Sequence, residues 1–84
     1  MKLYTLDNQF IKKTNSLPFN SFTGIIEYES GLKEWRKNGS FHRFDGPALE
    51  YTNGTKRWHI DGNNCTEEQH TLLVDIMKLK GLSS

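Results

Sequence analysis

The sequence predicts an α+β domain: an antiparallel β-meander built from repeated hairpins, with one C-terminal α-helix packed on its aromatic face. The main observation is an internal repeat. The segment from Gly31 to Gly39 recurs from Gly54 to Gly62, with Gly, Lys, Trp and Gly at matching places and a displacement of 54 − 31 = 23 residues. A fixed displacement of this size is typical of a repeated supersecondary unit. The second observation is a helix-start pattern, Thr66-Glu67-Glu68-Gln69, directly after the repeats.

Length and composition limit the class of protein. The 84 residues are enough for a single domain, 1–84, close to the size at which one hydrophobic core barely suffices. The formal net charge is only +1, so the molecule as a whole is not a polycation. The single cysteine, Cys65, permits no internal disulfide, which fits a reducing compartment. No apolar run approaches the roughly 18 residues of a membrane span, so we expect a soluble protein with no membrane partner.

The first 21 residues are predicted to form a hairpin and a loop. Residues 1–14 read as two short strands around a turn at Asp7-Asn8, because Asp and Asn tolerate the left-handed conformation. Residues 15–21 are polar and contain Pro18, which favours a loop leading into the repeats. The sequence leaves open whether this hairpin pairs within the chain or with another copy.

Residues 22–65 are predicted to form the two hairpin repeats. Asn38-Gly39, Asn53-Gly54 and Asp61-Gly62 are favoured pairs for two-residue type I′ turns, and Ser30-Gly31 is a weaker fourth. Two-residue turns at all four places fix the strand register, and side chains alternate between the faces of a strand. The register therefore predicts one buried face and one face in contact with water.

The predicted buried face carries mostly aromatic and aliphatic side chains: Ile26, Tyr28, Trp35, His42, Leu49, Tyr51, Trp58 and Cys65. The predicted outer face carries Glu27, Glu34, Arg36, Phe41, Glu50, Arg57 and His59. In this register Glu50 lies opposite Arg57, so we interpret the two as a cross-strand ion pair rather than as part of a catalytic site.

Residues 66–81 are predicted to form the helix. Thr66 and Gln69 make a capping box, Lys78 and Lys80 suit the carboxyl end of the helix dipole, and Gly81 is a natural stop. The helix carries an apolar stripe that we expect to pack on the aromatic face of the sheet: Leu72, Leu73, Ile76, Met77 and Leu79.

The second repeat resembles MORN-like units of tailed bacteriophage and some large-virus proteins. The resemblance rests on His42-Arg43-Phe44-Asp45-Gly46-Pro47-Ala48, followed by Asn53-Gly54, Trp58 and Asp61-Gly62. The first repeat departs from the pattern, with Thr23-Gly24-Ile25-Ile26 in place of Asp-Gly-Pro-Ala. The resemblance implies a β-hairpin meander and implies no enzyme activity.

This resemblance and the small size lead us to expect a non-catalytic phage-type binding protein in the host cell cytoplasm. By analogy of size and context with small phage proteins, it would inhibit a host factor, such as a toxin–antitoxin ribonuclease of a defence system. Its expected partner is then a host protein. An RNA-binding module is the alternative, and the two can coexist because some such inhibitors also contact RNA. A structural virion component is a second alternative, and a homodimer through an edge strand or the helix stays open.

The predicted partner or RNA site is the basic part of the sheet. Cationic side chains hold phosphates and aromatic rings stack on bases, as in sheet-based RNA binders. The predicted site residues are Lys33, Arg36, Lys37, Phe41, Arg43, Lys56, Arg57 and His59. A mixed-charge face in contact with water is the simpler interpretation of the same residues. Neither a CxxC nor an HxxxH pattern occurs, so we expect no metal and no cofactor.

Overall fold

The computed structural model describes residues 1–16 and 21–81, so Pro18 of the predicted 15–21 loop lies outside the described residues. These residues form eight strands and one helix. The strands are β1 (Lys2–Tyr4), β2 (Phe10–Lys13), β3 (Gly24–Glu27), β4 (Lys33–Lys37), β5 (Ser40–Phe41), β6 (Leu49–Glu50), β7 (Lys56–Ile60) and β8 (Asn63–Cys65), and α1 spans Glu67–Leu79. The predicted α+β class, a hairpin meander followed by one helix, is confirmed.

All the strands pair antiparallel in the order β2-β1-β3-β4-β6-β7-β8, and β5 pairs with β4 beside β6. The N-terminal hairpin pairs within the chain, because β1 lies next to β3 with Leu3 opposite Ile26. The internal repeat is visible in the strands, since β4 and β7 occupy equivalent positions in the two units. Strands β2 and β8 form the two ends of this order.

Two of the turns have the predicted type I′ form. Both central residues have positive φ at Asn38-Gly39 (50° and 83°) and at Asp61-Gly62 (50° and 82°). The predicted register across these turns is confirmed: the amide of His42 donates to the carbonyl of Trp35, and Trp58 lies opposite Cys65.

The other two turns differ from the prediction by one residue. At the first, the Tyr28 amide donates to the Leu32 carbonyl (2.9 Å), and at the second the Tyr51 amide donates to the Thr55 carbonyl (2.9 Å). Each closes a three-residue loop whose last residue is a glycine with φ of 90°. This is a type I turn followed by a glycine bulge, and it shifts every cross-strand partner by one residue.

Because side chains alternate, this shift moves whole strands to the other face, and the predicted face assignment of β3 and β6 is wrong. We call the side bearing Arg36, Phe41, Arg57 and His59 the arginine face, and the side bearing Trp35 and Trp58 the tryptophan face. Ile26 lies opposite Glu34 and Leu49 opposite Arg57, so both aliphatic residues belong to the arginine face. Glu27 and Glu50 belong to the tryptophan face, and Glu50 lies opposite Lys56 rather than Arg57.

Both faces of the sheet therefore bury side chains near its centre. On the arginine face Leu3, Phe22 and Ile26 form the core cluster, with Met1 and Tyr28 packed against it. The buried residues outside that cluster include Ile25 and Ile60 of the tryptophan face, together with Ala48, His70 and Val74. The predicted core aromatics are less buried than expected: Trp35 and Trp58 are half-buried and Tyr51 is exposed.

Helix α1 has the predicted ends. Thr66 is its N-cap and forms the reciprocal capping box with Gln69, and Gly81 follows the C-cap with φ of 74°. The packing of the stripe on the aromatic face is not confirmed. The helix contacts β7 and β8 and buries only His70 and Val74, whereas most of the apolar stripe stays exposed. In the described part of the chain, no helix is long and apolar enough to cross a membrane.

Candidate functional site

The predicted site residues do not form one surface. Arg36, Phe41, Arg57 and His59 share the arginine face, as expected. Lys33, Lys37 and Lys56 lie on the tryptophan face, and Arg43 lies in the segment between β5 and β6, stacked on Trp35 with 3.8 Å from its guanidinium carbon to the ring centre. The structure thus divides the predicted basic surface between two sides of the sheet.

On the arginine face, three side chains from three strands lie side by side in a row. The Arg36 guanidinium lies 4.5 Å from the centre of the Phe41 ring, and that ring lies 5.2 Å from the ring of His59. The Arg36 guanidinium is also bonded to the buried Glu34 carboxylate at 2.7 Å and 3.1 Å. Its charge is therefore compensated within the chain, whereas Arg57 and Lys12, which lies opposite Leu3, are exposed cations of this face.

His59 has an unusual environment at the end of the row. It is half-buried, and its Nδ1 has no hydrogen-bond partner among the described residues. Burial lowers the pKa of this imidazole, because the charged form loses hydration. His59 is therefore expected to be neutral at physiological pH and to act as a flat ring in the row rather than as a cation.

On the tryptophan face, opposite charges alternate across neighbouring strands. Glu27 lies opposite Lys33, which lies opposite Glu50, which lies opposite Lys56. The Lys33 ammonium is 4.0 Å from the Glu27 carboxylate. The alternation agrees with a mixed-charge face, although of its lysines Lys33 has a carboxylate within ion-pair distance, whereas Lys37 and Lys56 form no ion pair with a described residue.

Arg43 stabilises the segment between β5 and β6, which joins the two repeats and which we call the link. Its guanidinium is 3.0 Å from both the Asp45 and the Glu50 carboxylates and donates to the Pro47 carbonyl at 3.2 Å. The carbonyl of Arg43 in turn contacts the Nε2 atom of His70 on the helix. Arg43 thus ties the link to the sheet and to α1, which is a structural role that the sequence pattern did not reveal.

A cavity of about 350 Å³ opens where the N-terminal hairpin turn meets this link. We call it the hairpin cavity. Its walls combine apolar and polar side chains, including Leu6, Asn8, Trp35, Lys37, His42 and Phe44. The sequence places His42 on the side of Trp35, but nothing local indicates that the Asn8 turn lies beside it.

His42 is the buried polar residue of the hairpin cavity. It is 5% exposed, and its Nδ1 accepts a hydrogen bond from the Asp61 amide at 2.9 Å. The ring proton of neutral His42 must then be on Nε2, which has no partner among the described residues. Burial lowers the pKa of His42, and the charges of Lys37 and His70 act in the same direction, against the opposing effect of Asp61.

A third surface is the exposed part of the helix stripe. We call Leu72, Leu73, Ile76 and Leu79 the helix strip; Leu72 is 61% exposed and Leu79 is 89% exposed. A groove of about 540 Å³ runs between this strip and the end strand β8, with Asn63, Asn64 and Met77 among its walls. Sequence reasoning identified these helix residues but expected them to be covered by the sheet.

Cys65 and the histidines form no recognisable reactive or metal-binding arrangement in the described ranges. Burial raises the pKa of the Cys65 thiol, which favours the unreactive protonated form. Within residues 1–16 and 21–81, no group of three or more His, Cys, Asp or Glu side chains is placed to hold a metal ion.

Comparisons with known proteins add no relative. No family model matches the chain, and neither a curated protein nor a solved structure matches it. The resemblance to MORN-like units stays a prediction from the residues quoted above.

Proposed function

We propose that this chain is a non-catalytic binding protein that holds a protein partner against the helix strip and the edge of β8. As a phage-type protein, it would inhibit a host factor in the host cytoplasm, such as a ribonuclease of a toxin–antitoxin defence system. The observation that carries the proposal is the helix strip: four large apolar side chains of one short helix are exposed together. Contiguous exposed apolar surface is a mark of interaction sites in small domains.

The neighbouring strand indicates what kind of partner segment would fit. Strand β8 is the last strand of the sheet order, so one side of its backbone is available for pairing within the described structure. Asn63 and Asn64 of this strand line the same groove as Leu72 and Leu73. An extended partner segment could pair with β8 through its main chain and place alternate apolar side chains on the helix strip.

RNA binding through the arginine face is the second candidate. Arg57 is exposed on this face, and its neighbour Lys56 is exposed on the tryptophan face; neither forms an ion pair with another described residue. The row of Arg36, Phe41 and His59 lies on the same face as Arg57 and offers aromatic rings to bases. This candidate ranks second because Arg36 is already bonded to Glu34 and because the carboxylates of the tryptophan face limit the basic area to one side.

The deciding experiment begins with protein purified from its native expression host. Light scattering and the absorbance ratio at 260 and 280 nm are recorded before and after nuclease and high salt. A homogeneous particle free of nucleic acid supports a protein partner, and a concentration-dependent particle of the chain alone identifies the partner as a second copy. A nucleic-acid-rich particle that collapses under both treatments, and is absent for a Lys56→Glu/Arg57→Glu variant, favours RNA binding.

Capture from host lysate then tests the surface itself. The test variant is Leu72→Gln/Ile76→Gln, which keeps good helix formers in the helix. The matched control is Ile11→Gln, which makes the same kind of change at an exposed residue on the opposite end of the sheet, in β2. We expect the wild type and Ile11→Gln to retain the same partner and the double variant to lose it. Retention of the partner by a folded double variant would refute the proposed surface.

A further inference from the structure

We propose that the hairpin cavity binds a small anionic molecule, one that carries a carboxylate or phosphate on an apolar body. The cavity is distinct from the helix strip, so this inference goes beyond the proposed function. Its volume of about 350 Å³ lies in the range of small-molecule pockets, which typically combine apolar walls with a few placed polar groups.

His42 supplies the first observation, a buried hydrogen-bond donor without a partner. Its Nδ1 is occupied by the Asp61 amide, so neutral His42 carries its proton on Nε2. No described residue accepts that proton, although the atom is buried. A buried polar group left without a partner is costly. The Nε2 atom is closed off from solvent, so an acceptor atom of a bound molecule reaches it after a small shift of the cavity wall and then removes that cost.

Lys37 supplies the second observation, a cation at the same cavity. It lies on the cavity wall, and no described carboxylate lies within ion-pair distance of its ammonium group. Arg43 and Asp45 also line the cavity, but Arg43 is paired with both Asp45 and Glu50 at 3.0 Å. The Asp61 carboxylate, which does not line the cavity, is 3.3 Å from Nδ1 of His42. Among the described cavity-lining residues, Lys37 is therefore the charged side chain without an ion-pair partner, and its charge favours an anion.

The remaining cavity walls indicate the shape and polarity of the rest of the ligand. Leu6, Ile25 and Phe44 are apolar, and the rings of Phe44 and His42 lie 5.0 Å apart. The side-chain amide of Asn8 also lines the cavity. The position of Asn8 is held by the hairpin turn, in which the Asn8 backbone amide donates to the Thr5 carbonyl at 3.0 Å. A ligand with its anionic group near Lys37 and His42 and its apolar part against Leu6 and Phe44 satisfies both kinds of wall.

The test is a titration of isotope-labelled full-length protein, followed by NMR, with three probes of similar body and different charge. Phenyl phosphate and benzoate represent the two anionic groups, and benzamide is the neutral control. We expect at least one anion to shift the resonances of Lys37, His42 and Asn8 at millimolar concentration, and benzamide to shift them much less. The stronger of the two anions identifies whether the site prefers phosphate or carboxylate.

Two lysine variants separate a built site from general attraction to the basic surface. Lys37→Gln removes the cation at the cavity, and Lys56→Gln makes the same change at an exposed lysine outside it. We expect Lys37→Gln to weaken binding of the anion about tenfold or more and Lys56→Gln to leave it unchanged. Equal weakening by both variants, or no site-specific shift with either anion, would overturn the proposal. Neither result bears on the helix strip.

Discussion

The Glu34 carboxylate is buried on the arginine face and is bonded to the guanidinium of Arg36, two residues further along β4, at 2.7 Å and 3.1 Å. Residues two apart in a strand point to the same side, so the pair lies within one face. The hydroxyl of Tyr28 donates to the same carboxylate at 3.0 Å. A buried carboxylate needs such partners, and Arg36 therefore stabilises the fold instead of remaining free for a ligand.

Charge reversal at Arg36 is expected to destabilise the protein. An Arg36→Glu variant places a second carboxylate beside Glu34 and removes its main partner, so we expect the free energy of unfolding to fall by on the order of 3 kcal/mol. Arg57→Glu changes an exposed arginine of the same face and is expected to cost no more than about 0.5 kcal/mol. Urea unfolding of both variants measures the difference. Equal unfolding free energies for Arg36→Glu and Arg57→Glu would show that the ion pair between Arg36 and Glu34 does not stabilise the fold.

The aliphatic core on the arginine face gives a second prediction. Ile26 is 1% exposed and packs with Leu3 and Phe22, so Ile26→Ala should lower the free energy of unfolding by about 2–5 kcal/mol. Ile11→Ala is the matched control, because Ile11 is 45% exposed in the end strand β2 and its truncation should cost about 0.5 kcal/mol or less. Thermal and urea unfolding check both values. A larger loss for Ile11→Ala than for Ile26→Ala would contradict the burial of Ile26 in this core cluster.

The three-residue loops give a third prediction. Gly54 has φ of 90° and no atom within 4 Å of the position a side chain would occupy, so only backbone strain opposes a larger residue there. Gly54→Ala should cost about 1 kcal/mol, and Gly54→Asn less, because Asn tolerates positive φ better than Ala does. Urea unfolding of the two variants makes the comparison. A neutral or stabilising alanine would indicate a different turn.

These loops also show why part of the fold could not be predicted. The sequence was sufficient for the repeat, for the helix caps at Thr66 and Gly81, and for the turns at Asn38-Gly39 and Asp61-Gly62, because each depends on adjacent residues. Asn53-Gly54 suits a two-residue turn, but it equally suits a three-residue loop with Gly54 at the bulge. Local preference does not distinguish these two, yet the choice decides which face each residue of β6 occupies.

The candidate sites were predicted only in part, for the same reason. The basic and aromatic residue types can be read from the sequence, but the partners of these residues follow from the register. The pairing of Arg43 with both Asp45 and Glu50 depends on the link between the repeats. The hairpin cavity depends on the turn at Asn8 and the region of His42 lining the same space, although the two are far apart in the chain. The exposure of Leu72 depends on which side of the helix faces β7 and β8.

Two histidines, the buried His42 and the half-buried His59, give a prediction about pH. The pKa values of His42 and His59 are lowered by burial from the ordinary value of 6.5. As the pH falls below about 6.5, the unfolded chain binds protons on these residues before the folded protein does. Stability is therefore complete above pH 6.5 and decreases as the pH is lowered through 6.5 toward the folded pKa values. The slope is at most about 1.4 kcal/mol per pH unit for each histidine.

Two variants show how much of this pH dependence comes from each histidine. The His59 imidazole is half-buried and forms no hydrogen bond with another described side chain, so His59→Gln should fold. Between pH 7.5 and 5.5, the unfolding free energy of this variant should fall less than that of the wild type. His42→Gln removes the acceptor of the Asp61 amide and is expected to be less stable at every pH, with a smaller dependence on pH. Urea unfolding at several pH values, with NMR titration of the imidazole carbons, measures both effects. A decrease on acidification that is the same in the wild type and in both variants would contradict the assignment to these histidines.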